Sequence, residues 1–116
     1  MKIYGIKSCD TMRKAFKWLD VSGADVEFHD YKKAGLSPGL ADTFLANIEL
    51  GALINRRGTT FRQLPEATKQ SILDGDKAVA KQVMLDNASI IKRPILQKGD
   101  EYLLGFKADV YEEFVK

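Results

Sequence analysis

Residues 2–28, KIYGIKSCDTMRKAFKWLDVSGADVEF, decide the fold of this chain. The apolar run 2–6 ends at polar residues, which predicts a short buried strand that enters a loop. Apolar side chains then recur at helical spacing up to a stop at Ser22-Gly23, and these are Met12, Ala15, Phe16 and Leu19. Val26 and Phe28 alternate with polar residues, as in a second strand. We therefore predict a β-α-β unit, and a helical crossover of this length favours parallel pairing of its strands.

The middle of the chain predicts an all-helical insertion over about residues 38–88. Ser37 is the expected N-cap of its first helix, with Pro38 at the first helical position. The apolar stripe of that helix is expected to stop near Gly51. Because no linker rich in Gly, Ser or Pro isolates the insertion, we predict a single domain over residues 1–116.

The rest of the insertion is predicted from caps and turn residues. Residues 55–60, NRRGTT, have the composition of a polar loop. Two helices follow over 67–73 and 77–85, and Asp76 is the expected N-cap of the second.

The C-terminal part predicts two more strands and a last helix. Ile95-Leu96 and residues 102–104 are apolar runs separated by the polar stretch 98–101, as in an antiparallel hairpin. An amphipathic helix is expected to start near Lys107. The fold class is therefore α/β, with the order βαβ, helices, ββα.

Composition excludes several classes of protein. The 116 residues are 45% hydrophobic and 29% charged, unlike a disordered chain, and no apolar run is long enough to span a membrane. The net charge of +2 gives no argument for nucleic-acid binding. The first residues lack the apolar stretch of a secretory signal, so a cytoplasmic location is expected. A single cysteine excludes an internal disulfide and an all-cysteine metal site.

Cys9 is the candidate reactive residue, because it lies between the first predicted strand and the first predicted helix. Unpaired N–H groups and the helix dipole stabilise an anion at a helix start, and Lys7 and Arg13 are expected to add positive potential. The alternative is a small buried apolar side chain, which is common for a free cysteine. The polar neighbours Ser8 and Asp10 argue against complete burial.

The β-α-β opening with Cys9, the helical insertion and Arg93-Pro94 before a hairpin resemble the arsenate reductase (ArsC) family of thioredoxin-like proteins, which includes the Spx regulators. Three stretches are similar to its bacterial YffB branch: residues 4–15 (YGIKSCDTMRKA), 55–60 (NRRGTT) and 105–107 (GFK). The resemblance implies a thioredoxin-like fold with a four-stranded mixed sheet and a helical insertion.

The resemblance also implies roles for individual residues. Cys9 matches the nucleophile that attacks arsenate in the reductases, and Arg57 and Arg93 match arginines that hold the oxyanion. Arg56 is an alternative for the role of Arg57. Lys107 stands near the position of a third arginine, and a lysine lacks the two-pronged geometry of a guanidinium, which disfavours arsenate.

Further residues are expected to contact the substrate or glutathione: Lys7, Ser8, Asp10, Thr11, Arg56, Pro94 and Lys107. Pro94 is expected to follow a cis peptide bond, as in the family. Met12 stands where thioredoxins have their second cysteine, so the resemblance implies a monothiol mechanism in which glutathione, with glutaredoxin as a further candidate partner, releases the Cys9 adduct.

Three functions stay open at this point. The first is a glutathione-dependent thiol oxidoreductase that forms a mixed disulfide at Cys9, and the second is an arsenate reductase proper. The third is a non-catalytic regulator that contacts RNA polymerase, as Spx proteins do. We expect no metal, bound cofactor, membrane or direct nucleic-acid partner, since no motif for one is present.

Two polar features are given structural interpretations. His29 is the only histidine, and without a ligand pattern around it we expect a structural or surface residue. Tyr31-Lys32-Lys33 precedes Gly35, and such a short charged run is typical of a solvated turn.

Overall fold

The computed structural model describes residues 1–116. Its contacts divide the chain into two compact units, Met1–Ala34 with Arg93–Lys116, and Gly35–Lys92. The first unit holds β1 (Lys2–Gly5), α1 (Asp10–Ser22), β2 (Glu27–Asp30), α2 (Tyr31–Ala34), β3 (Ile95–Lys98), β4 (Glu101–Leu104) and α8 (Ala108–Phe114). The second holds α3 (Pro38–Asn47), α4 (Leu50–Leu53), α5 (Thr59–Arg62), α6 (Glu66–Leu73), α7 (Lys77–Asp86) and a 3-10 turn (Ala88–Ile90). Whether the two units form one domain stays a prediction.

The four strands form one mixed sheet in the order β2-β1-β3-β4. β1 pairs with β2 in parallel, so that Ile3 lies opposite Phe28. β3 runs antiparallel to β1 and to β4, which places Leu96 beside Ile3 and Leu103. The predicted α/β class, the parallel first pair and the C-terminal hairpin are therefore confirmed.

One face of this sheet carries the core of the first unit. Residues that lie directly opposite each other on neighbouring strands share a face of the sheet, so the side chains of Ile3 and Leu96 point to the same side. They pack with side chains from the two helices of that face, and the buried cluster consists of Ile3, Met12, Ala15, Leu19, Leu96 and Tyr111. The hydroxyl of Tyr111 donates to the backbone oxygen of Gly105 at 2.9 Å, which satisfies its one buried polar atom.

The strand directions bring three chain segments to one edge of the sheet. β1 and β2 are parallel and both end there, with Gly5 opposite Asp30. β3 is antiparallel to β1, so it begins at the same edge, with Ile95 opposite Tyr4. The loop after β1, the residue after β2 and the residues before β3 therefore meet at this edge.

The caps predicted from the sequence are confirmed. The Ser37 side chain accepts from the backbone N–H of Leu40 at 3.1 Å, and the Asp76 side chain accepts from that of Val79 at 3.1 Å. α1 ends as expected at Gly23, whose φ of 74° is the left-handed conformation that favours glycine.

Three local predictions are wrong. Gly51 does not stop a helix but lies inside α4, a separate turn that buries Leu50 and Leu53. The predicted loop 55–60 is too long, because Thr59 and Thr60 begin α5, which buries Phe61. The prediction of a solvated turn at residues 31–33 is wrong at Tyr31, which is buried, whereas Lys32 and Lys33 are exposed as expected. In each case burial of an apolar side chain overrides the local turn signal.

No helix is long and apolar enough to cross a membrane.

We expect Leu96→Ala to lower the free energy of unfolding by about 2–5 kcal/mol, because it leaves a cavity among fully buried side chains. The matched control is Val21→Ala, since Val21 is 80% exposed and should change stability by less than about 0.5 kcal/mol. Urea unfolding followed by circular dichroism measures both. Similar losses in the two variants would contradict the placement of Leu96 in the core.

Candidate active site

Cys9 is the N-cap residue of α1, with an extended backbone at φ −110° and ψ 133°. Its carbonyl accepts the first helical hydrogen bond, from the N–H of Arg13 at 3.0 Å. The side chain closes no capping hydrogen bond, so the first N–H groups of the helix stay available to an anion. The thiol is partly exposed, as its polar neighbours predicted. Cys9 is therefore accessible and lies where a thiolate is favoured.

Several groups act on the ionisation of Cys9. Burial of the thiol raises its pKa, but the backbone N–H groups of Met12 and Thr11 lower it, and the Arg93 side chain lowers it further by hydrogen bonding and by charge. The lowering dominates, so the pKa of Cys9 lies below that of an ordinary cysteine. The thiolate, which is the nucleophilic form, is thus more populated at a given pH than in an ordinary cysteine.

The positive charge that acts on Cys9 does not come from Lys7 and Arg13, contrary to the prediction from the sequence. Arg13 does not act on the sulfur but pairs with Asp10 at 2.9 Å. Both of these side chains are largely exposed, so their ion pair contributes little to stability. Lys7 and Ser8 are exposed in the preceding loop, and Lys7 is not among the groups that shift the thiol. The charge that matters comes from Arg93, which is distant in sequence.

Arg93 and Pro94 immediately precede β3, at the sheet edge that Cys9 also occupies. The peptide bond between them is cis, as predicted. Pro94 is buried, and its carbonyl accepts from the N–H of Gly105 at 2.9 Å, which ties the start of β3 to the end of β4. The antiparallel pairing of β3 with β1 thereby brings Arg93 to Cys9.

Met12 occupies the position of a second active-site cysteine but faces the core. It is fully buried, and a Cβ added to Gly5 would lie 2.5 Å from its sulfur. Gly5 is therefore needed for the close approach of α1 to the end of β1. The only thiol of the site is that of Cys9.

Three predicted cationic residues have exposed positions in the two units. Lys107 is exposed and is the N-cap of α8. Arg57 and Arg56 are exposed in the second unit, where the Arg57 carbonyl accepts from Arg62 Nη2 at 2.8 Å. Arg56 lines an open groove between α4 and the start of α7. Their roles at the Cys9 site stay predictions.

Tyr31 was missed as a site residue, because its neighbours Lys32 and Lys33 suggested a solvated turn. It starts α2 instead, is only 6% exposed and lies directly after β2 at the edge that holds Cys9 and Arg93. The Asp30 side chain accepts from the Lys32 N–H at 2.9 Å, an N-cap arrangement whose sequence signal is the aspartate before the turn.

His29 packs among aromatic rings next to this residue. Its ring centroid lies 5.3 Å from that of Tyr4 and 5.8 Å from that of Tyr31. This placement agrees with the structural interpretation of the histidine.

A mixed four-stranded sheet with a thiol at the start of its first helix and a cis-proline before β3 defines a thioredoxin-like protein. The chain belongs to the ArsC family, whose model matches residues 4–114. Both predictions, of the fold and of the family, are confirmed.

Relatives and solved structures agree with this assignment. An uncharacterised protein of Haemophilus influenzae is 37% identical over 110 residues, which cover 95% of this chain and 94% of the relative. The solved structure of a YffB protein is 43% identical, with a TM-score of 0.90 and coverage of 99% of this chain and 98% of the other. An arsenate reductase (ArsC) related protein from Brucella melitensis is 46% identical, with a TM-score of 0.78 and coverage of 99% and 93%. The protein is therefore related to arsenate reductases.

We expect Arg93→Ala to raise the pKa of Cys9 and to slow its alkylation by iodoacetamide at pH values below the new pKa. The reason is that the thiolate loses the nearby positive charge and hydrogen bond. At pH values above both pKa values the two proteins are fully ionised, and their rates should converge. Arg93→Lys keeps the charge without the guanidinium and should give an intermediate pKa.

The matched control is Arg13→Ala, which removes an exposed arginine of α1 that pairs with Asp10. Its alkylation profile should coincide with that of the unchanged protein. An Arg93→Ala profile that also coincides would contradict the assignment of Arg93 to Cys9.

Proposed function

We propose that this protein is a monothiol, glutathione-dependent oxidoreductase that forms a mixed disulfide at Cys9. The observation that carries the proposal is the lowered pKa of the Cys9 thiol, caused by the first N–H groups of α1 and by Arg93. A thiolate at neutral pH is what a nucleophile in disulfide exchange requires. We assign this activity to the cytoplasm, where glutathione keeps thiols reduced.

The reaction balances with one enzyme thiol. In the first step the Cys9 thiolate attacks the glutathione sulfur of a mixed disulfide R–S–S–G, which forms Cys9–S–S–G and releases RS⁻. In the second step a glutathione thiolate attacks the glutathione sulfur of that adduct, which forms glutathione disulfide and restores the Cys9 thiolate. The net reaction is R–S–S–G + GSH → R–SH + GSSG, in which the R sulfur is reduced to its thiol and one glutathione thiol is oxidised to the disulfide.

A second enzyme thiol cannot resolve the adduct. The chain has one cysteine, and Met12 at the alternative position has no S–H and is buried. The release step therefore needs an external thiol, for which we propose glutathione, with glutaredoxin as a second donor. Arg57, Arg93 and Lys107 are the residues that we propose to hold the anionic groups of the bound tripeptide. We propose that Lys7, Ser8, Asp10, Thr11, Arg56 and Pro94 also contact the bound glutathione.

Disulfide exchange is favoured over arsenate reduction by the cation set. Only an arginine offers two parallel N–H donors to an oxyanion, and the third cationic position carries Lys107 instead. A lysine ammonium can pair with a carboxylate of glutathione as a point charge, without the two parallel donors that an arsenate oxyanion favours. Arsenate is kept as a second substrate class because the chain is related to arsenate reductases.

The experiment measures glutathione disulfide formed from reduced glutathione and a glutathionylated peptide. We expect the protein to accelerate this reaction and Cys9→Ser to fall to the uncatalysed rate, because serine cannot form the mixed disulfide. Mass spectrometry should detect the Cys9–glutathione adduct when reduced glutathione is withheld.

Two outcomes would change this assignment. Turnover with arsenate in place of the peptide, at a higher kcat/KM, would make the protein an arsenate reductase proper. Failure of Cys9 to accept glutathione from the disulfide would overturn the proposed disulfide exchange.

A further inference from the structure

The Tyr31 side chain is a buried polar group that the proposed reaction does not use. The residue is 6% exposed, and its hydroxyl is buried without a hydrogen-bond partner in the protein. Buried hydroxyl groups are nearly always hydrogen-bonded, because an unpaired one loses its interaction with water and gains nothing. A hydrogen-bond partner that reached the Tyr31 hydroxyl would therefore be stabilising.

The sheet topology places two groups of chemical interest at the same sheet edge as Tyr31. Tyr31 follows β2, Cys9 follows β1 through a short loop, and Arg93 precedes β3, so all three lie at one sheet edge. The charge of Arg93 acts on both of the others. It lowers the pKa of Cys9, and it opposes the rise in the pKa of Tyr31 that burial and Tyr4 cause.

Tyr31 is held in place, whereas Arg93 has a long and flexible side chain. The backbone at Tyr31 is fixed by the hydrogen bond from the Lys32 N–H to Asp30. Its ring meets that of His29 edge-on, at an angle of 66°. Any rearrangement between the guanidinium and the hydroxyl is thus made by Arg93.

The acceptors available to the guanidinium differ in strength. A thiolate is charged and accepts hydrogen bonds more strongly than a neutral hydroxyl. Burial raises the pKa of Tyr31, so its hydroxyl stays neutral. A disulfide sulfur is uncharged and is the weakest acceptor of the three. The order of preference is therefore the Cys9 thiolate, then Tyr31, then a Cys9 disulfide.

We propose that Tyr31 is a positioning residue, whose hydroxyl oxygen accepts a hydrogen bond from the Arg93 guanidinium once Cys9 carries the glutathionyl group. This inference rests on the proposed function, since the exchange Cys9–S⁻ + GSSG → Cys9–S–SG + GS⁻ removes the charge from the Cys9 sulfur. Arg93 then moves from the sulfur to Tyr31. The move stabilises the mixed disulfide relative to the thiolate and keeps the cation beside the bound group.

The test is Tyr31→Phe, which removes only the hydroxyl. The protein is equilibrated with defined ratios of oxidised and reduced glutathione, and mass spectrometry gives the fraction of Cys9–glutathione adduct. We expect the equilibrium constant for the adduct to fall about tenfold, as is usual for loss of a hydrogen bond to a charged group. The pKa of Cys9 should not rise, because Arg93 lies at the sulfur in the thiolate form.

The matched control is Tyr102→Phe, which removes a tyrosine hydroxyl from β4 and should leave the equilibrium constant unchanged. The Tm of the reduced Tyr31→Phe protein should equal or exceed that of the unchanged protein, since the lost hydroxyl has no partner there. An unchanged equilibrium constant in Tyr31→Phe would overturn the proposal. A raised Cys9 pKa would also overturn it, because Tyr31 would then hold Arg93 before the reaction.

A second probe separates this inference from the glutathione activity. Methyl methanethiosulfonate converts Cys9–S⁻ to Cys9–S–S–CH₃ and releases methanesulfinate, so it neutralises the sulfur without glutathione. In ¹⁵N-labelled protein the side-chain N–H resonances of Arg93, assigned by their loss in Arg93→Lys, should shift on labelling. The shift should differ in Tyr31→Phe, and equal shifts would contradict the contact. If Cys9 forms no glutathione adduct, the proposed function is overturned. The contact between Arg93 and Tyr31 is then decided by the Arg93 resonances after labelling with methyl methanethiosulfonate.

Discussion

The guanidinium of Arg93 beside the sulfur of Cys9 is the interaction on which the candidate site depends. The start of α1 alone offers N–H groups to an anion, but burial of the thiol opposes its ionisation. A permanent cation adds to the effect of the helix, and an arginine keeps its charge at any physiological pH. The sheet makes this possible, because β3 runs antiparallel to β1 and so begins where β1 ends. The chemistry is thus a consequence of strand direction.

The site holds a single thiol, because a buried methionine at the start of α1 stands where a second cysteine would be. A thioredoxin-like site with a second cysteine stores an oxidised state within the protein. Here the corresponding side chain, Met12, fills the space over Gly5 and belongs to the core. The residue that would resolve an adduct is instead part of the scaffold that holds α1 against β1. The position that could hold a second cysteine is thus used for packing, and Cys9 is the only thiol of the chain.

The features that could be predicted from the sequence are those that depend on residues close to one another along the chain. The β-α-β opening, the Ser37 and Asp76 caps and the placement of Cys9 at a helix start all follow from local periodicity and capping chemistry. The pairing of Arg93 with Cys9 does not, because strand order brings them together, and only the resemblance to a family pointed to that arginine. Tyr31 shows the same limit: its charged neighbours predict solvent, but the residue is only 6% exposed.

The position of β1 in the sheet has a consequence for synthesis. β1 is a central strand in the finished protein, yet its partner β3 comes far later, as the sequence separation of 93 positions from Tyr4 to Gln97 shows. Until β3 leaves the ribosome, β1 has an unpaired edge, which can recruit strands from other chains. The length of the helical segment translated in between therefore sets how long this edge stays exposed to aggregation during synthesis.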